Sequence, residues 1–186
     1  MEQLECGKAH TVIVVSDSQQ SKRIYAFGHQ DGLSTESSTH VPTLVTINKL
    51  GETNADLKFI HVRYNTSIAV DRLGRIFMWG ENTSSLKMRK PKLFYVFPSR
   101  SIEIKQLVLG RRHGLIRTNE PFGAIYGWGD GTYGELGVTE GLPFEKPQRL
   151  PHFEAVEVVS VAAGSRHSLV LDSNGQIYAM GDNSED

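Results

Sequence analysis

Cysteine is almost absent from this sequence: Cys6 is the only one among 186 residues, so no disulfide can form within the chain. Proteins kept reduced inside cells have this pattern. Long apolar runs are absent as well. The longest aliphatic run is Val12-Ile13-Val14-Val15, whereas a membrane-spanning helix needs about 20 apolar residues, so no membrane association is expected. Neither sign of charge is in excess: Lys and Arg total 20, Asp and Glu total 21, and the formal net charge is −1. Nucleic-acid-binding domains usually carry a clear basic surplus, so nucleic acid is not expected as a partner. The opening Met1-Glu2-Gln3-Leu4-Glu5-Cys6 lacks the basic start and apolar stretch of a secretory signal, and the Arg-rich pattern of a transit peptide. The expected location is intracellular, cytoplasmic or nuclear. Proline is scarce at 7 residues against 18 glycines, which points to many tight turns rather than a stiff linker.

What the sequence does contain is one short text written four times. The last copy reads Ala163-Gly164-Ser165-Arg166-His167-Ser168-Leu169-Val170-Leu171-Asp172, then Gly175-Gln176-Ile177-Tyr178-Ala179-Met180-Gly181. The third runs from Gly110-Arg111-Arg112-His113 to Gly123-Ala124-Ile125-Tyr126-Gly127-Trp128-Gly129. The second runs from Arg63-Tyr64-Asn65-Thr66 to Gly74-Arg75-Ile76-Phe77-Met78-Trp79-Gly80, and the first from Gly7-Lys8-Ala9-His10 to Arg23-Ile24-Tyr25-Ala26-Phe27-Gly28. The closing glycines Gly28, Gly80, Gly129 and Gly181 are separated by 52, 49 and 52 residues. A period of this length indicates a propeller, solenoid or array. Each copy reads as β: aromatic and branched residues fill runs bounded by Gly, Asn, Asp and Ser. Gly74, Gly123 and Gly175 are placed where hairpin turns require positive φ. Apolar side chains on both faces of the strands indicate sheets packed between neighbouring sheets. Pro42, Pro91 and Pro147 follow three of the copies at similar places, each before a short apolar segment. No helix is expected; Leu50 to Asp56 is too short and too polar.

The chemical motifs are weaker than the repeat. His10, His113 and His167 recur at one position of successive copies, so each is expected to hydrogen-bond a turn of its own repeat rather than to join a catalytic or metal cluster. No Cys/His pair has zinc spacing and no acidic loop has calcium spacing, so neither a metal nor a cofactor is expected. Gly129-Asp130-Gly131-Thr132-Tyr133-Gly134 fits the dinucleotide pattern G-x-G-x-x-G, but the residues after it, through Pro143, break the helix that pattern needs. Glu135 and Asp130 read as turn residues. The one charge run is Lys87-Met88-Arg89-Lys90-Pro91-Lys92. It reads as a solvated loop between repeats two and three, and as the place where Lys87, Arg89, Lys90 and Lys92 would contact a partner if one binds there.

The repeat contains no Gly-Gly pair of the kelch type, and Trp79 and Trp128 precede glycine rather than the aspartate of WD repeats. Instead, Ala-Gly-x-x-His-Ser-Leu, Gly-x-Ile-Tyr-x-x-Gly-Asp-Asn, Gly134-Glu135-Leu136-Gly137 and a later Pro resemble the repeat of the regulator of chromosome condensation family. Repeat two departs from it at Arg63, Thr66 and Thr83-Ser84-Ser85-Leu86, and repeat one keeps only Gly32-Leu33 of the Gly-x-Leu-Gly turn. The resemblance implies an all-β RCC1-like β-propeller segment across 1–186, with repeats at roughly 1–57, 58–104, 105–155 and an incomplete 156–186. It amounts to about three and a half to four blades of a ring that has seven in the family. The sequence therefore reads as a fragment of a longer protein, with further repeats or a second chain to complete the ring. The resemblance implies a non-enzymatic scaffold for a protein partner. Its alternative is guanine-nucleotide exchange on a Ran-like small GTPase.

Overall fold

The computed structural model describes residues 2–16, 18, 22–29, 38–47, 57–81, 87–138 and 142–184, without the side chains of Glu81, Lys87 and Arg89. Gly32-Leu33, Leu50 to Asp56, Thr83-Ser84-Ser85-Leu86, Thr139 to Gly141 and the final Glu185-Asp186 lie outside the described residues.

The strands form four antiparallel sheets, each built in chain order. Sheet 1 comprises β1 (Gln3–Cys6), β2 (His10–Ser16), β3 (Lys22–Gly28) and β4 (Thr39–Val45). Sheet 2 comprises β5 (Leu57–Arg63), β6 (Thr66–Asp71), β7 (Arg75–Glu81) and β8 (Lys87–Val96). Sheet 3 comprises β9 (Ile104–Leu109), β10 (His113–Thr118), β11 (Ile125–Gly129) and β12 (Phe144–Arg149). Sheet 4 comprises β13 (Val158–Ala163), β14 (His167–Asp172) and β15 (Ile177–Gly181). One turn of 3-10 helix, Pro151–Phe153, precedes sheet 4. The chain divides into two compact units, Met1–Pro98 with sheets 1 and 2, and Ser99–Asp186 with sheets 3 and 4.

The meander follows from local turn chemistry. Asp71 Oδ1 accepts the N–H groups of Leu73 and Arg75 at 2.9 and 2.8 Å. Asp172 Oδ1 accepts those of Asn174 and Gln176 at the same distances. Each aspartate thus closes the turn between the second and third strands, and Gly74 and Gly175 take φ of 75° and 83° there. The strands then pack face to face. In the first unit Val12, Val14, Ile24, Ala26 and Val45 of sheet 1 share one buried cluster with Leu57, Ile60, Val62, Ala69, Phe77 and Trp79. In the second unit Leu115, Ile125, Leu136 and Leu150 share one with Phe153, Val158, Val161 and Val170. Every residue of β6 is buried.

The basic run is not a loop. Lys87 to Val96 form β8, which pairs with β7 so that Lys87 faces Glu81 and Lys92 faces Met78. Local charge argues for a loop, but β8 lies at the sheet edge, where lysine can reach water without leaving the ladder. Edge strands also tolerate proline and use lysine to discourage further pairing. Pro42, Pro91 and Pro147 all lie in such fourth strands, β4, β8 and β12.

Candidate functional site

The polar side chains of the repeat converge on the seam between consecutive sheets, and the two units build this seam alike. Gln3 Nε2 donates to the Ile60 carbonyl at 2.5 Å, and its Oε1 accepts the Ile60 N–H at 3.0 Å. Gln106 clamps Val161 in the same way, at 2.8 and 3.0 Å. His10 Nε2 lies 2.8 Å from Ser67 Oγ in a buried hydrogen bond, and His113 Nε2 lies 2.9 Å from Ser168 Oγ. The Lys8 N–H donates to the Tyr64 carbonyl at 2.7 Å, and the Arg111 N–H to the Ser165 carbonyl at 3.3 Å.

These contacts correct the expectation for the histidines. His10 and His113 each bond a serine of the following sheet, not a turn of their own. Position within a repeat is legible from spacing, but the direction of a side chain across the sheet depends on strand alternation. His167, at the same register of sheet 4, is exposed. The ring also explains the glycine three residues before it. A Cβ on Gly7, Gly110 or Gly164 would come within 2.4, 2.1 or 2.2 Å of a ring atom of its own histidine. Repeat two carries Arg63 and Thr66 at these two positions, so its two departures are one change: without the ring, the glycine is not needed.

The closing glycines Gly28, Gly80, Gly129 and Gly181 all take positive φ, between 95° and 122°. There the strand ends against the turn between its sheet's first two strands: a Cβ on Gly28 would lie 2.4 Å from the Ala9 carbonyl oxygen, and one on Gly181 2.3 Å from that of Arg166. Gly131, Gly134 and Gly137 form two successive turns, with the Gly134 N–H on the Gly131 carbonyl and the Gly137 N–H on the Gly134 carbonyl. The dinucleotide-like run is therefore turn, not strand-to-helix. Asp130 and Glu135, unassigned by spacing, acquire partners here. Asp130 Oδ1 accepts the Thr132 N–H, and its carboxylate pairs with Arg112 at 3.4 Å. The bond from the Thr132 side chain, before all else, holds the Asp130 carboxyl below its usual range. Glu135 is buried and accepts the Tyr133 N–H at 2.9 Å; burial pushes its carboxyl up. Among the described residues no group of three or more His, Cys, Asp or Glu is placed to hold a metal ion, and no helix is long and apolar enough to cross a membrane.

The glutamine clamp is the feature sequence reasoning misses. Its signal is a glutamine seven residues before the repeat histidine, Gln3 with His10 and Gln106 with His113. Repeat two has Phe59 and repeat four Ser160 at that place.

Burial lowers the His10 pKa from 6.5 to about 4. Its Nδ1 has no hydrogen-bond partner, so a second ring proton would be buried unsatisfied. The sign follows: between these values the unfolded chain binds a proton that the folded one refuses. His10 therefore supports stability fully above pH 6.5, and that support drains away as the pH falls toward 4. Thermal melts from pH 7 to 4 should show a steep loss in wild type and a flatter profile in His10→Asn. Parallel profiles would exclude the assignment.

Comparison with known proteins matches part of the chain to a repeat family. Two family models, each described as the regulator of chromosome condensation (RCC1) repeat, match residues 123–171 and 158–186. The chain is 28% identical over 188 residues to the Ultraviolet-B receptor UVR8 of Arabidopsis thaliana, covering 95% of this chain and 40% of that one. It is 30% identical over 122 residues to the guanine nucleotide exchange factor SRM1 of Saccharomyces cerevisiae, covering 60% of this chain and 25% of that one. It thus spans well under two thirds of the curated relatives it matches. The solved structure of Prp20p from Saccharomyces cerevisiae, described with its binding properties to Gsp1p and histones, superposes with a TM-score of 0.74 at 23% identity, covering 96% of this chain and 44% of that one. Residues 123–186 thus carry RCC1 repeats, and with four meandering antiparallel sheets and a repeat near fifty residues the chain has the fold of an RCC1-like β-propeller segment.

Proposed function

We propose that the chain is a non-enzymatic protein-interaction scaffold of RCC1-type repeats, working inside a larger intracellular protein or assembly. One observation carries this reading: the repeated polar side chains are committed to holding one sheet against the next, as Gln3, His10, Gln106 and His113 do. The sheet edges and the loops between strands are left to recognise a partner, and propeller-type scaffolds bind through such surfaces. The edge strand β8 is the contact we assign. Lys90 and Lys92 are exposed beside the exposed Leu93 and Val96, and Lys87 and Arg89 belong to the same strand. A mixed basic and apolar edge suits a protein partner with an acidic rim.

Replacing Lys87, Arg89, Lys90 and Lys92 by alanine in the full-length protein should weaken partner capture about tenfold, with the residual binding insensitive to salt. Undiminished capture would remove β8 from the contact. The similarity to SRM1 supports a second reading, guanine-nucleotide exchange on a Ran-like small GTPase. Release of labelled GDP from such a GTPase decides it: acceleration by the full-length protein would replace the scaffold reading, and an unchanged rate would leave exchange without support.

A further inference from the structure

Asn174 precedes Gly175 in the turn between β14 and β15, and no other Asn-Gly pair occurs in the sequence. Ser173, Asn174, Gly175 and Gln176 are all exposed. Asp172 Oδ1 holds the main-chain N–H of Asn174 at 2.9 Å. The Asn174 side-chain amide, by contrast, makes no hydrogen bond among the described residues, so it samples its rotamers without restraint. The group beside it is equally open: a Cβ on Gly175 would meet nothing within 4 Å. The Gly175 N–H donates to the Asp172 carbonyl at 3.2 Å, the longest of this turn's main-chain bonds.

Two residues that could undergo the same chemistry are locked. Asn119 is exposed, but its Oδ1 accepts the Glu103 N–H at 2.6 Å and its Nδ2 donates to the Ser101 carbonyl at 3.0 Å. Its successor is Glu120, whose side chain crowds the main-chain nitrogen. Asp130 precedes Gly131, but its carboxylate is bonded to Thr132 and paired with Arg112 at 3.4 Å. Gly131 is buried, its Cβ position 2.6 Å from Leu142.

We infer that Asn174 is a site of spontaneous covalent modification, in which its amide is lost through a cyclic imide. The Gly175 main-chain nitrogen attacks Asn174 Cγ, which the unrestrained side chain brings to it. The bond from Gly175 N to Cγ forms, the Cγ–Nδ2 bond breaks, and ammonia leaves with the proton that Gly175 gives up. Water then opens the imide. Opening at Cγ gives aspartate; opening at the main-chain carbonyl gives isoaspartate, whose main chain runs through the side-chain carbon and is one methylene longer. The turn sets the consequence. Asp172 Oδ1 accepts the N–H groups of Asn174 and Gln176, one on each side of the altered link. Lengthening the main chain between them separates the two donors, so one carboxylate no longer holds both. The new charge also falls beside Asp172 and beside Glu157, which Ser173 binds at 3.0 Å. The β14–β15 hairpin is thereby loosened. This chemistry is independent of the scaffold reading.

Peptide mapping by mass spectrometry tests it on the purified chain, held folded at mildly alkaline pH. Asn174 should exchange its amide for a carboxyl about tenfold faster than Asn119 or more, with isoaspartate in the product, read by enzymatic methylation of the isoaspartyl carboxylate. A rate no higher than that of Asn119 overturns the proposal, and so does conversion of Asn174 only after unfolding in urea. Asn174→Gln keeps the main-chain N–H that Asp172 holds, while its longer side chain disfavours the ring, so it should form no product at this turn. Wild type should melt at a lower temperature after incubation than before, and Asn174→Gln should not change. An unchanged melt with isoaspartate present at residue 174 would overturn the loosening of the hairpin.

Discussion

Valine in place of Gly123 is expected to cost about 3 kcal/mol of unfolding free energy, and to lower the melting temperature by about 6–12 °C. Two effects combine. Gly123 takes φ of 66°, a region a β-branched residue enters only under strain. Its Cβ would also lie 2.3 Å from the Val158 carbonyl oxygen. That oxygen belongs to the first strand of sheet 4, which the same turn holds through the Val158 N–H to the Phe122 carbonyl at 2.8 Å. The valine must therefore push the turn or the neighbouring strand. Gly175 separates the two effects: it has φ of 83° but nothing within 4 Å of its Cβ position. Gly175→Val should carry the strain alone, about 1–2 kcal/mol. Equal losses at the two sites in urea unfolding would show that the close approach to Val158 is unimportant.

The contrast between these glycines shows which features a sequence makes legible. Strands, turns and period are local: Asp172 and Gly175 close their hairpin with groups at most four residues away, so composition at short range announces them. The closing glycines are legible for the same reason, since each recurs in every copy. The seam is different. Gln106 reaches Val161 across 55 residues, and what it grips is main chain, which carries no side-chain identity. The clamp also occurs in only two of four copies, so repetition does not single it out. His113 and Ser168 are both visible as repeat residues, yet which sheet the ring points toward is settled by the burial of Leu115 and Val170 on the same side. The basic run is misread for the opposite reason. Its local charge suggests a loop, while its pairing with β7 depends on Phe77 and Met78 being held in the sheet.

Gln106→Glu should test the seam most sharply, because it changes one atom and leaves the shape intact. The amide uses both ends: Nε2 donates to the Val161 carbonyl at 2.8 Å and Oε1 accepts the Val161 N–H at 3.0 Å. A carboxylate keeps the second bond but turns an oxygen toward the carbonyl, so donor and acceptor become two acceptors, one of them charged and half-buried. The expected loss at neutral pH is about 3 kcal/mol. Its pH dependence has a definite sign. The folded state favours the protonated acid, which can donate to the Val161 carbonyl, so the carboxyl is raised above its unfolded value. The deficit relative to wild type should shrink as the pH falls through the carboxylate range. Gln106→Ala removes both bonds and has no proton to gain, so its deficit should not vary with pH in that way. Melting curves of wild type and the two variants at neutral and acid pH distinguish these behaviours. Glutamate and alanine variants with the same pH profile would mean that the Gln106 amide does not hold Val161, and that the seam depends on its apolar cluster alone.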